Sequence, residues 1–407
     1  MPKAKHQALL VSAHPIQNAQ PMRLMAGDAR VDVLTAYCSL PEARLWQDPE
    51  QRTREAFDIP VLDGYKWQQM RNYSPRPRLG KFYGLINPGV IKLVSESDCC
   101  VVYGHAYVSF WLAIITAKLR GKPLLLGTDA TYLESQYGGS WKAAIKKKVL
   151  PFLYNRIADL VLVPSTAAKR FICSLGVAAD RVALTPYVVD NDYIADIAAS
   201  TDIKAIRQKW QIPAEGIVAV FCAKFLARKR PQDALQAFAQ ADVPNSFLLM
   251  VGDGPLGEEL RREAKRLRIE ERVRFTGMVK YSHLPALYAA SDLLVFPSGH
   301  EPYGLPVNEA MICGIPVVVS DRVGAGLDLV ENGRTGFVYP SGDVDALASI
   351  LRKVLADREL LKKMGAAARL RISNWSPREN AEATILAVEK AIIARQARAR
   401  AQAAAQV

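Results

Sequence analysis

Short apolar runs alternate with longer stretches whose apolar positions recur every three or four residues, along almost the whole chain. The runs at 8–13, 31–37, 99–103, 124–127, 160–163 and 181–184 read as buried strands. A second set stands at 217–222, 247–251, 273–276, 293–297, 317–320 and 336–338. Helical patterns fill the gaps, among them 231–240 and 255–267. Strands that alternate with helices predict parallel sheets covered on both faces, an α/β architecture of doubly wound, Rossmann-like domains.

The pattern loosens near Asp190 into VVDNDYIADIAASTD, which reads as an interdomain connection. The expected layout is a first domain over 1–190, a linker over 191–214 and a second domain over 215–375. A helix over 376–396 follows, free to cross back to the first domain, and an Ala-rich tail over 397–407 is expected to fray. Between Tyr37 and Cys99 the alternation fails: Trp46, Tyr65, Trp67, Tyr73, Phe82 and Tyr83 stand among many arginines, and no element is assigned there.

Length and composition agree with two domains: 407 residues, half of them apolar, exceed one ordinary core. The net charge of +13 is uneven. Residues 1–190 hold 24 Lys/Arg against 15 Asp/Glu, a net +9, and the remainder adds +4. A basic first half suits an anionic partner. The segment 137–160 adds a basic amphipathic pattern, with Lys142, Lys146, Lys147 and Lys148 beside Trp141, Ile145, Val149, Leu150 and Phe152, able to lie on an anionic bilayer. A helix packed on its own sheet explains that pattern equally well. Dispersed basic residues without a helix–turn–helix or Arg/aromatic motif argue against nucleic acid.

The six cysteines show no Cys-x-x-Cys pair and read as buried thiols in a reducing compartment. The opening apolar run is short, broken by His14 and Pro15, and suits a first strand better than a signal peptide. Nineteen residues from Cys99 carry no charge, but Gly104 and His105 split them into a strand and a helix, not one membrane span. A cytoplasmic location, peripheral on the inner membrane face at most, is expected.

The chemistry gathers in DLLVFPSGHEPYGLPVNEAMICGIPVVVSD, residues 292–321, which reads strand, loop, helix, glycine stop, strand. Pro306 suits a first helical turn and Gly314 its left-handed end. Gly304 in the loop lets a ligand approach the backbone, and the first helical N–H groups favour an anion such as a diphosphate. Glu301 before the helix and Glu309 one turn into it are placed to straddle a diphosphate-linked sugar. A capping role for one and a solvated role for the other is the plainer explanation of two glutamates.

This run resembles the retaining glycosyltransferases of family 4, which carry Glu-x7-Glu in such a loop–helix setting. The resemblance extends through FCAKFLARKRPQDAL (221–235), VGDGP (251–255), VRFTGMV (273–279), LPALYAASDLLVFPS (284–298) and ENGRTGFVYPSGDVDALA (331–348). It implies a GT-B fold, two Rossmann-like doubly wound domains facing across a cleft. It further implies that Lys224 and Lys229 hold the donor diphosphate as leaving group, with lysine at 224 in place of the family's usual arginine. Glu301 would bind the transferred sugar and Glu309 the ribose hydroxyls. Tyr303, Gly304 and Leu305 would cradle phosphate and sugar through the backbone, and Gly252 and Gly254 would line the donor site.

The first domain departs from the family. No glycine precedes Gly27, and the first loop carries His-Pro-Ile-Gln and Pro-x-x-Arg, as in one subgroup, which puts His14, Gln17 and Arg23 on the acceptor side. The family's catalytic histidine has no clear match; Asp129 and His105 are the two candidates for its place. The resemblance implies a nucleotide-sugar donor, a saccharide or lipid-linked acceptor from cell-surface glycan synthesis, and no obligatory metal or other cofactor. An epimerase or a non-catalytic sugar-nucleotide binder of the same fold stays open beside transfer.

Overall fold

The computed structural model describes residues 5–15, 19–40, 46–47, 54–55, 58–131 and 148–404. It divides into two compact units, 1–186 with 377–407, and 187–376.

In the first unit the strands are β1 (His6–Ser12), β2 (Val31–Tyr37), β3 (Trp46–Gln47), β4 (Arg54–Glu55), β5 (Trp67–Gln69), β6 (Cys99–Tyr103), β7 (Leu124–Gly127), β8 (Leu160–Val163) and β9 (Val182–Leu184). Seven form one parallel sheet in the order β5-β2-β1-β6-β7-β8-β9, while β3 and β4 pair antiparallel on their own. Side chains alternate between faces, so adjacent residues feed two cores. Leu9, Val11, Cys100, Val102, Leu124 and Leu126 pack on one side. Ala8, Leu10, Val31, Val33, Val101 and Leu125 pack on the other, against Ile385, Val388 and Ile392 of the helix Pro377–Ala404. Burying each of those three helix side chains is worth about 1.5–3 kcal/mol. Polar contacts add to it: Arg30 pairs with Glu382, and Arg395 donates to the Gly121 carbonyl. The final helix is thus an integral layer of the first unit. It runs on through 397–404, where fraying was expected, because alanine and arginine are strong helix formers.

The second unit holds β10 (Ile217–Cys222), β11 (Ser246–Val251), β12 (Val273–Gly277), β13 (Leu293–Phe296), β14 (Val317–Ser320) and β15 (Gly336–Tyr339). They form a parallel sheet in the order β12-β11-β10-β13-β14-β15. Its two cores again split by parity: Val218, Val220, Leu249 and Leu294 on one face, Ala219, Phe221, Leu248 and Val295 on the other.

The segment read as a linker is helical. Asp190 accepts a hydrogen bond from the Tyr193 N–H and starts the helix Asn191–Ser200, and Asp202 starts Ile203–Lys209 in the same way. Ile194 is fully buried in the second unit's core. Capping aspartates look like loop composition in a sequence, which is why the pattern seemed to loosen there. The uncharged stretch from Cys99 is β6 followed by the helix Val108–Leu119. Among the described residues no helix is long and apolar enough to cross a membrane.

Candidate active site

Both sheets reverse direction of winding beside their first strand, between β1 and β6 in one unit and between β10 and β13 in the other. In doubly wound sheets ligands bind at the carboxyl ends of the strands flanking that switch point. The loops that leave β10 and β13 are those that carry Lys224, Lys229 and Glu301.

After β10 the chain runs through Lys224 and a short turn, Ala227–Lys229, then takes a left-handed residue, Arg230 with φ 51°, before the helix Pro231–Ala241. Lys229 comes to lie over the Phe296 ring, 5.5 Å from its centroid, and forms an ion pair with Glu301. Both partners are mostly shielded, with 12% and 14% of their side chains exposed, so the pair is far stronger than one in open water. The Gly299 N–H donates to the Arg228 carbonyl at 2.8 Å and ties the two loops together.

Glu301 is held from behind by the strand-end loop after β14. Its N–H donates to the Arg322 carbonyl, its carbonyl accepts from Gly324, and the Tyr303 carbonyl accepts from Ala325. A Cβ at position 324 would stand 2.0 Å from the Pro302 oxygen, so only glycine permits this approach. Gly304 has φ 105° and precedes the helix Leu305–Ile312, with Pro306 in its first turn and Gly314, φ 76°, beyond its end. Leu305 opens the helix partly exposed, whereas the Tyr303 ring is buried edge-on against Tyr187 at 5.5 Å. Tyr303 therefore contributes packing with its side chain.

Glu309 is buried inside the same helix, and Tyr288 donates to its Oε2 at 2.9 Å. Burial pushes the Glu309 carboxyl up to about 7, against the opposing pull of the Tyr288 hydrogen bond. Cys222, the last residue of β10, senses both Glu309 and Lys229; its thiol is pushed up to about 12, first by burial and then by the Glu309 carboxylate. Lys224 is drawn down to about 8 by desolvation, then by the charges of Arg228 and Lys229. Three cations thus crowd one loop, an arrangement that an anion relieves. The structure brings Lys224, Lys229, Glu301 and Glu309 together around the ends of the neighbouring strands β10 and β13.

Gly252 and Gly254, with φ 132° and 156°, serve the loop after β10. A Cβ at 252 would fall 2.1 Å from the Ala223 oxygen, and one at 254 would fall 2.8 Å from the Phe225 oxygen. The Phe225 N–H donates to the Asp253 carbonyl at 2.9 Å. These glycines let one turn clamp the backbone that presents Lys224. A cavity of 610 Å³ lined by Lys209, Arg261, Arg262 and Phe275 lies on the far edge of the sheet and includes none of these residues.

In the first unit His105 and Asp129 follow β6 and β7, and both neighbour buried Tyr154: the His105 ring stands edge-on to it at 6.5 Å, and the Asp129 carboxylate adds to the upward push on its hydroxyl, which burial drives to about 12. His14 follows β1, with Nδ1 2.7 Å from the Pro15 carbonyl and its pKa lowered by burial. Gln17 lies outside the described residues, as do 132–147, which hold most of the basic amphipathic pattern. The Arg23 guanidinium donates to the carbonyls of Asp63 at 2.8 Å and Pro60 at 2.9 Å, binding a loop of its own unit.

Sequence reasoning missed Tyr288, Phe296 and the brace at 322–325. Tyr288 lies in LPALYAASDLLVFPS, but no local spacing joins it to a glutamate in a different helix. The brace had one signal, Gly324 and Gly326 flanking an alanine.

Two Rossmann-like units with this strand-end constellation define a GT-B-type α/β protein, and solved structures share the fold. The Anabaena protein Alr3699/HepE in complex with UDP aligns with a TM-score of 0.69 and 23% identity, over 93% of this chain and 98% of that one. Residues 202–371 match the model for glycosyl transferases group 1, and residues 29–193 match that for Glycosyltransferase Family 4. A 2-deoxystreptamine glucosyltransferase of Streptomyces kanamyceticus is 30% identical over 305 residues, 70% of this chain and 78% of that protein. The chain belongs to the family 4, or group 1, glycosyltransferases. The sulfoquinovosyl transferase SQD2 of Arabidopsis thaliana is 31% identical over 291 residues, 70% of this chain, and the match spans only 55% of that relative's length.

Proposed function

We propose that the protein moves a sugar from a nucleoside-diphosphate donor to a saccharide or lipid-linked acceptor, with retention at the anomeric carbon. One observation carries this reading: Lys224, Lys229, Glu301 and Glu309 meet at the switch point of the second sheet. The likeness to the Anabaena protein, also solved with UDP-glucose, supports the choice of donor.

In this reading the diphosphate displaces Glu301 from Lys229 and sits against both lysines. Their charge stabilises the phosphate oxygens as the anomeric C–O bond breaks. Glu301, released, hydrogen-bonds the sugar, and Glu309 takes ribose hydroxyls. The acceptor oxygen bonds to the anomeric carbon on the face the phosphate leaves, and the leaving phosphate receives the acceptor's proton. No metal ion is part of this scheme. Asp129 or His105, at the ends of β7 and β6, takes the place of the family's catalytic histidine, and His14, at the end of β1, stands on the acceptor side.

Thermal shift against a panel of nucleotide sugars tests the reading, with Glu309→Ala as control. A stabilising donor whose effect disappears in the variant, and an acceptor product of retained configuration by NMR, are the expected results. If no nucleotide or nucleotide sugar raises the melting temperature, the reading is wrong. An epimerised nucleotide sugar formed without acceptor would replace transfer by epimerisation.

A further inference from the structure

Residues 64–95 hold six cations, Lys66, Arg71, Arg76, Arg78, Lys81 and Lys92, and no acid. Within them Tyr73, Phe82 and Tyr83 expose 57%, 52% and 55% of their surface. Rings of that size normally bury themselves. Among the described residues, Arg76, Arg78 and Lys81 form no ion pair.

The segment is nevertheless rigidly built. The Tyr73 N–H donates to the Ile86 carbonyl at 2.8 Å, and Asn72 bridges both legs, donating to Gly84 and accepting from Ser74 and Ile86. Asn87 is fully buried and donates to the carbonyls of Cys38 and Met70, each at 2.9 Å. Gly84 crosses the Arg78 carbonyl so closely that a Cβ would stand 1.8 Å from it. The loop leaves β5, and Asn87 ties it to the residue after β2, which places it at the carboxyl end of the first unit's sheet.

A preorganised, acid-free loop of exposed rings and cations at the ligand-binding end of a sheet is a recognition surface. The geometry points to an anionic saccharide as the acceptor, one that carries carboxylate or phosphate groups. Arg76, Arg78 and Lys81 pair with its charges, and Phe82 and Tyr83 pack on the C–H faces of its rings. The Arg71 guanidinium, 4.9 Å from the Tyr73 centroid, covers one face of that ring and leaves the other for a sugar. A bilayer fits less well: Leu79 and Leu85 within the loop pack on the core instead of pointing outward. This inference rests on the proposed glycosyl transfer, because it names the acceptor of that reaction.

Binding of a galacturonate oligomer and of a neutral maltodextrin of equal length, by calorimetry on the full chain, tests it. UDP binding is followed in parallel. The galacturonate is expected to bind with a strong salt dependence, and the maltodextrin is not. Arg76→Gln/Arg78→Gln/Lys81→Gln should weaken galacturonate at least about tenfold and leave UDP unchanged. Phe82→Ser/Tyr83→Ser should do likewise at high salt. UDP binding without preference for the acid oligomer overturns the inference and spares the transferase reading; absence of UDP binding sinks that reading itself. Flotation with phosphatidylglycerol vesicles that is lost in the triple variant, with no oligomer binding, replaces the saccharide by a membrane.

Discussion

Tyr288 and Glu309 are joined by a 2.9 Å hydrogen bond in a place neither side chain leaves, since 1% and 5% of their surfaces are exposed. A carboxyl with a pKa near 7 there has an ionised form that burial opposes. The sign follows: the folded-state pKa lies above the unfolded value, so the cost of Glu309 to stability is absent below the unfolded pKa, grows as pH rises towards about 7 and is complete above it. Glu309→Gln should stabilise the protein by on the order of 2 kcal/mol at pH 8 and leave it unchanged at pH 4. Donor binding should be lost at both. Equal melting curves at pH 8 would show that the carboxyl is solvated. Tyr288→Phe removes the orienting donor and should weaken the donor nucleotide about tenfold while the fold persists.

Lys229 and Glu301 shield one another, so removing either leaves a charge in a half-closed site. Lys229→Ala should destabilise the second unit by about 1–3 kcal/mol and abolish nucleotide binding. The double variant Lys229→Ala/Glu301→Ala should recover part of the stability and none of the binding. Full additivity in the melting temperatures would mean the ion pair does not persist in solution.

Lys224 is a cation only below about pH 8. Nucleotide affinity should therefore fall between about pH 7.5 and 9.5, where the phosphates of the ligand are already ionised. Lys224→Arg should flatten that profile, because a guanidinium stays charged throughout. An unchanged slope in the arginine variant assigns the pH effect to another group. Folding itself should gain stability across the same rise, since the lowered pKa means the charged lysine is disfavoured in the folded state.

Gly252→Ala puts a methyl group 2.1 Å from the Ala223 oxygen and must push the loop that presents Lys224. A loss of at least about 2 kcal/mol and a weaker nucleotide complex are expected. Gly89→Ala is the control, as a Cβ there meets nothing within 4 Å and φ is −55°. Equal stability of the two variants would refute the clamp.

Arg23→Ala should destabilise the first unit by about 1–2 kcal/mol by releasing the carbonyls of Asp63 and Pro60. Its effect on acceptor KM tells the two roles apart: an acceptor ligand would raise KM strongly at unchanged stability.

Much of the architecture was legible. The twelve strands read from apolar runs all exist, and all six of the second unit's begin and end within one residue of the run, because a strand buried on both faces must be continuously apolar. The loop and helix around Glu301 and Glu309 were legible for a local reason too, with Pro306 and Gly314 marking both ends. β5 was not, since WQQ is short, polar and exposed, and only its pairing with β2 makes it a strand. The helices at 191–209 were hidden by their own capping aspartates, and the hold of Arg23 on a carbonyl forty residues away leaves no local trace.

By itself the sequence determined what depends on near neighbours: periodicity, turn glycines, helix ends, and the order of elements that forces doubly wound sheets. Only the tertiary structure decided which charges meet. Lys229 finds Glu301 seventy-two positions on, and Glu309 finds Tyr288 in another helix, because parallel crossovers bring distant strand ends side by side. Burial, which sets whether a lysine or a glutamate is charged near neutral pH, is a property of that packing, and no spacing along the chain encodes it.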